Sequence, residues 1–219
     1  MRSFINITNG KSIHLRQGDL DGACTVYSLM MGLVAAKKVK KTDLTDFDVF
    51  GRENKPDGRT SYARLLKEFF YKIPRSIDDP ETILLRNGYT LEDIQNKLSH
   101  AYSKEVTTWY ASSLKDADKK GYLNRNELID FIAEEIDKGN PVEIAFGYRK
   151  GGGHAVLAVG YERSYGEIKR LFCLDPAFEC SIRGKYNAII SLMHNGRHTQ
   201  YHEGMKCCVL IDEALSIER

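Results

Sequence analysis

The chain carries almost no surplus charge of either sign. Its 219 residues hold 32 Lys and Arg against 30 Asp and Glu, a formal net charge of +2, too little for the electrostatic footprint of a nucleic-acid binder. Long apolar runs are missing as well. No stretch approaches the roughly 18 to 20 apolar residues of a membrane span, and the opening MRSFINITNGKSIHL lacks the apolar core of a secretory signal. The expectation is a protein of the cytoplasm, or one exported without a cleavable N-terminal signal. The five cysteines are an odd number and two of them, Cys207 and Cys208, are adjacent, which argues for reduced thiols over a disulfide framework. No internal repeat, low-complexity tract or linker breaks the chain.

What is present suits one domain spanning 1–219. Hydrophobic residues make up 42%, enough for a packed core and too many for disorder. Residues 1–22 read as a short strand or arm and a turn-rich approach punctuated by Gly18, Asp19, Asp21 and Gly22. Residues 23–38 are apolar and unbroken apart from Gly32, which predicts a buried helix with Cys24 at its start. The cluster KKVKK (37–41) then falls where a helix C-terminus favours cations. Residues 40–120 are expected to form a helical elaboration of a first lobe. They contain helical patterns at 61–72 and at 90–102, the second opened by Thr90 with Asp93 three residues on, a loop between Pro74 and Pro80, and a weak strand alternation at 105–112.

Residues 124–140 predict an amphipathic helix with Leu128, Phe131, Ile132 and Ile136 on one face and Gly139 at its end. Short apolar runs follow at 141–149, 154–163, 168–176, 185–193 and 206–212, separated by turn-formers. They predict a meandering antiparallel sheet with a hairpin at 164–167. Helices precede strands, so the fold class is α+β.

Four residues make a chemical constellation. A cysteine nucleophile acts as its thiolate, which the free N–H groups and partial positive charge of a helix start favour, as at Cys24. Asp19 and Asp21 would oppose ionisation if turned toward the sulfur. His154 follows three glycines at the head of an apolar strand, open to a partner on one side. Asp175 ends the next strand of the hairpin, where antiparallel pairing brings it to the imidazole. Gln17 lies seven residues before Cys24, and its amide and the Cys24 N–H can converge on one developing oxyanion.

With QGDLDGAC and the helix after it, DKGNPVEIAFGYRKGGGHAVLAVGYE and LFCLDPAF, the chain resembles the papain-like cysteine peptidases. It is most similar to the compact bacterial branch that includes the double-glycine leader peptidases of bacteriocin exporters. Residues 40–120 lie outside the resemblance. It implies a first lobe built on the Cys24 helix, a second of antiparallel sheet, and a substrate cleft between them. It implies Cys24 as nucleophile, His154 as general base and acid, Asp175 as the orienting residue and Gln17 as oxyanion donor. The implied substrate is a peptide or protein cleaved through a thioester acyl-enzyme, with no cofactor. Papain has one residue fewer between its Gln and Cys, the bacterial branch usually has Gly where Thr25 stands, and a Cys-Gly-Ser-Cys-Trp signature is missing here. No long segment precedes Gln17, so no N-terminal inhibitory propeptide is expected. The same residues would equally serve a deamidase, transglutaminase or acyltransferase acting on a partner protein.

Two other motifs compete. DADKKGYLNRNE (116–127) matches a calcium loop at Asp116, Asp118, Gly121 and Glu127, but Lys120 occupies a ligand position. It is read as a turn before an N-capped helix, and a calcium-responsive or catalytically silent binding module is the alternative it supports. His194, His198 and His202 have the spacing of a zinc face on a helix, yet Asn195 and Gly196 favour a turn, so a solvated loop is expected. Cys173, Cys180, Cys207 and Cys208 are expected to be inert.

Overall fold

The computed structural model describes residues 1–16, 24–42, 89–102, 106–113, 122–149, 151–193, 198–202 and 205–219. The architecture grows from one strand. The run AVLAVGY (155–161) is buried on both faces and forms the middle of β4, Gly153–Ser164, because a strand covered on both sides needs apolar residues at every position rather than at alternate ones. β3 (Val142–Tyr148) pairs along one edge of β4 and β5 (Glu167–Leu174) along the other. The β4–β5 hairpin turns at Tyr165 and Gly166, with φ of 53° and 81°, the left-handed pair that a tight hairpin twist demands.

β6 (Ala188–Ser191), β7 (His198–His202) and β8 (Met205–Ile217) continue the pairing. β5 pairs with β6, β6 with β7, β7 with β8, and β8 with β3. Six antiparallel strands therefore close into a ring. β1 (Arg2–Phe4) extends the pairing on β4, and β2 (Thr108–Ser112) pairs with β8. Both come from the part of the chain before the meander, so the sheet is not confined to the C-terminal half.

Among the described residues three α-helices cover the sheet. α1 (Cys24–Ala35) is buried almost throughout. It lies close, because a Cβ on Gly32 would sit 2.4 Å from Ile217 Cδ1 and 3.3 Å from Leu157 Cδ1. It ends at Lys37, whose φ of 60° and the Lys38 N–H to Leu33 C=O bond of 2.9 Å close a Schellman-type cap with a lysine where glycine is usual. α2 (Leu91–Tyr102) opens with the expected box, Asp93 N–H donating to Thr90 Oγ1 and Thr90 N–H to Asp93 Oδ2. It packs Leu91, Ile94 and Leu98 against β2, β3 and β8. α3 (Arg125–Asp137) buries Leu128, Ile129, Ile132 and Ile136, with Phe131 only half-buried.

The short runs at 141–149, 154–163 and 168–176 become β3, β4 and β5 within two residues at each end. Two expectations are corrected. The run 206–212 extends to Ile217 because the acid that ended the apolar pattern, Glu213, is buried and accepts the Tyr110 hydroxyl at 2.6 Å. Residues 198–202, read as a solvated loop, form β7, a polar strand that exists because β6 and β8 pair with its two edges. The helix expected at 61–72 and the loop from Pro74 to Pro80 lie outside the described residues.

Asn124 caps α3 reciprocally. Its Oδ1 accepts from Asn126 and Glu127 N–H at 3.0 and 3.1 Å, and Glu127 Oε2 accepts the Asn124 N–H at 2.8 Å. Asn124→Ala is expected to cost about 1 kcal/mol in urea unfolding; an unchanged midpoint would show that the cap carries no weight.

Candidate active site

β5 parts from β4 after the pair Leu157–Leu174, which leaves the head of β4 uncovered on that side. The first turns of α1 fill the space. Ser28 Oγ donates to the Ala155 carbonyl at 3.1 Å, and the Cys24 sulfur is hydrogen-bonded by the backbone of Ala155 and Thr25. Cys24, at the first position of α1, is buried and unbonded to any other cysteine.

The turn into β4 sets His154. Gly151 and Gly152 take φ of 92° and 82°, a conformation costly for any residue with a Cβ. They deliver His154 opposite Phe146 on β3, ring against ring edge-on at 5.7 Å. Asp175 is the first residue past β5, where Pro176 stops the strand, and it is fully buried. Its Oδ1 accepts the Ala177 N–H at 2.9 Å and meets His154 Nε2 at 2.8 Å. A carboxylate only accepts, so Nε2–H is the donor and Nδ1 is left for the Cys24 side, with which the ring is also hydrogen-bonded. Cys24, His154 and Asp175 are thus brought together. Gln17 lies outside the described residues.

Burial acts against charge on both members of the sulfur–imidazole pair, and specific partners outweigh it. For His154, desolvation lowers the pKa, but the hydrogen bonds and charges of Asp175 and Cys24 raise it to about 10. For Cys24, desolvation raises the pKa, but the His154 hydrogen bond and charge and the backbone bonds from Ala155 and Thr25 bring it below the ordinary thiol value. Each shift is the same coupling seen from one end. The arrangement favours a thiolate beside an imidazolium. By contrast, Cys173 is sealed in the core, and burial followed by the Asp175 charge pushes its thiol up.

Four neighbours carried no sequence signal. Glu143 on β3 is fully buried, and neither carboxyl oxygen has a hydrogen-bond partner. Burial, then the charges of Cys24 and Glu213, hold its pKa well above the usual carboxyl range. Burial and these charges favour its neutral form beside Cys24. Asn187 and His14 contact the Asp175 backbone from the far side. Only the pairing of distant segments reveals them. Tyr148, half-buried and edge-on to Phe146 at 5.6 Å, has its phenol pushed up by burial and then by the charges of Asp175, Cys207 and Cys24.

The competing motifs fare differently. Residues 116–121 and His194 lie outside the described residues. Glu127 serves in the α3 capping box. His198 is buried at the start of β7, and burial followed by the Arg125 charge lowers its pKa to about 4. Among the described residues no three His, Cys, Asp or Glu side chains gather as metal ligands.

The structure sets a helix-borne cysteine against a strand-borne histidine in an α+β frame, and by its family the chain is a cysteine peptidase. It belongs to the Peptidase_C39 like family, whose model matches residues 16–202. No curated protein matches it. As a peptidase it acts on a peptide or protein. No helix among the described residues is long and apolar enough to cross a membrane.

Glu143 makes a pH prediction. Its folded-state pKa exceeds its unfolded one, so between the two the native state binds the proton that the unfolded state has lost, and stability falls as pH rises. In Glu143→Gln that loss, up to about 1.4 kcal/mol per pH unit, is expected to disappear. The variant should melt above wild type at pH 8 and converge with it near pH 4; a constant gap between the two melting curves would contradict the assignment.

Proposed function

We propose that the chain is a papain-like cysteine peptidase in which Cys24, His154 and Asp175 form the catalytic triad, with Gln17 as an oxyanion donor. The observation that carries this is the position of one imidazole, hydrogen-bonded to Asp175 through Nε2 at 2.8 Å and to Cys24 at the same time. The Cys24 thiolate attacks the scissile carbonyl, and the carbonyl π electrons pass to oxygen. That oxyanion is held by the Cys24 amide at the head of α1 and by the Gln17 side chain. The His154 imidazolium gives its proton to the departing amine as the C–N bond breaks, leaving a thioester. His154, now neutral, takes a proton from water, whose oxygen attacks the thioester; the thiolate leaves and the acid product is released. Asp175 holds the ring in the tautomer and orientation that this sequence requires.

In this reading the chain is a single domain, with α1 on one side of the cleft and the ring of strands on the other. The chain belongs with the compact bacterial branch, and the chemistry requires no cofactor.

The test is product mass from a mixed peptide library incubated with wild type and single variants. Wild type is expected to yield shorter peptides. Cys24→Ala should yield none while keeping the wild-type circular dichroism. His154→Ala should lose roughly 10²- to 10⁴-fold in rate, and Asp175→Ala less than that. Cleavage by Cys24→Ala would end the peptidase reading for this site. Full-length peptides returned deamidated or cross-linked would reassign it as a deamidase or transglutaminase.

A further inference from the structure

We infer that Asn187 is a positioning residue for Asp175, acting with His14 to fix the direction in which the carboxylate meets His154; the inference rests on the triad proposed above. Asn187 directly precedes β6. Its backbone N–H donates to the Cys173 carbonyl at 3.1 Å, continuing the ladder from the Cys173–Ala188 pair. The register therefore places it beside the end of β5, where the strand gives way to the Asp175 loop.

From there its side chain brackets Asp175 on both sides. Oδ1 accepts the Asp175 N–H at 2.7 Å, and Nδ2 donates to the Asp175 carbonyl at 2.9 Å. The same Nδ2 reaches the Phe178 and Glu179 carbonyls at 3.1 and 3.3 Å. His14, buried in the N-terminal arm, meets the Asp175 carbonyl through Nε2 at 3.0 Å. That nitrogen must be the donor, since a carbonyl only accepts, and burial lowers the ring's pKa and so favours the neutral form.

The effect is on dihedral freedom. With the peptide groups before and after Asp175 both held, its φ and ψ are set, and the Ala177 N–H on Oδ1 then selects the side-chain rotamer. Oδ1 is left on the line to His154. A loop following a proline-stopped strand would otherwise sample several carboxylate directions, and displacements of this kind weaken catalytic hydrogen bonds steeply. The β5–β6 ladder already holds the strand ends, so the side-chain bonds of Asn187 to the 175–179 loop are not needed for pairing.

The experiment is the rate of Cys24 alkylation by iodoacetamide from about pH 5 to 9 on the full chain. It is read by mass spectrometry beside the exposed Cys207 and Cys208, with melting temperature in parallel. The groups that set the Cys24 midpoint are His154 and, through it, Asp175, with Glu143 on β3 and the Tyr148 phenol nearby. In Asn187→Ala the midpoint is expected to rise, with on the order of tenfold lower Cys24 reactivity near pH 6, while Cys207 and Cys208 react as before. A folded Asn187→Ala with a lower melting temperature and the wild-type midpoint overturns the inference.

Should Asn187→Ala fail to fold, the His14 variants decide. His14→Leu is expected to raise the midpoint by a smaller amount, and His14→Gln, which restores an N–H donor, to return it. Both variants at the wild-type midpoint overturn the inference. A wild-type Cys24 that titrates like Cys207 removes the triad and this inference together, whereas a depressed wild-type midpoint that survives Asn187→Ala removes this inference alone.

Discussion

Everything at the site depends on how the edge of β4 is shared. Along most of its length that edge belongs to β5, but the pairing stops at Leu157–Leu174, and the next stretch is taken by α1 through Ser28 and Cys24. A strand edge must be covered or hydrogen-bonded somewhere, since unpaired backbone groups in a buried setting are costly. Covering it with a helix start places a sulfur, a set of free N–H groups and the head of a strand within one small volume. The close seat of Gly32 on Leu157 and Ile217 makes that approach possible. Helix position and sulfur position are therefore one constraint.

The electrostatics follow from the same enclosure. Burial disfavours every charge in the neighbourhood, so only groups with specific partners stay ionised. Cys24 and His154 have each other, and the imidazole has Asp175. Glu143 has no hydrogen-bond partner, so burial favours its protonated form, which disfavours a second negative charge beside Cys24. Within a few side chains one enclosure favours an ion pair at one place and a neutral acid at another, and the difference between them is the hydrogen bonds and charges of specific partners.

Much of this was readable from residue types. The apolar run after Cys24 predicts the helix that begins there, the glycines before His154 predict the turn that presents it, and Asp175 before Pro176 marks a strand end. Local pattern encodes local elements well when the side chains face one environment. It fails where a polar side chain is satisfied from far away. Glu213 hides the second half of β8 because its partner, Tyr110, lies on β2. β7 is polar and becomes a strand only through its neighbours. Asn187 gains meaning only from the register of β6 on β5, and His14 only from the return of the N-terminal arm to the Asp175 loop.

The central claim is that Cys24 and His154 rest as a thiolate–imidazolium pair before any substrate arrives. The most direct measurement is a pH titration of the His154 ring nitrogens by heteronuclear NMR, in wild type and in Cys24→Ser. The account predicts an imidazolium that persists well beyond neutral pH in wild type and titrates toward the raised value of about 10, and one that deprotonates at a distinctly lower pH once the sulfur is replaced. A His154 that loses its proton near the ordinary histidine value of about 6.5, equally in both proteins, would contradict it.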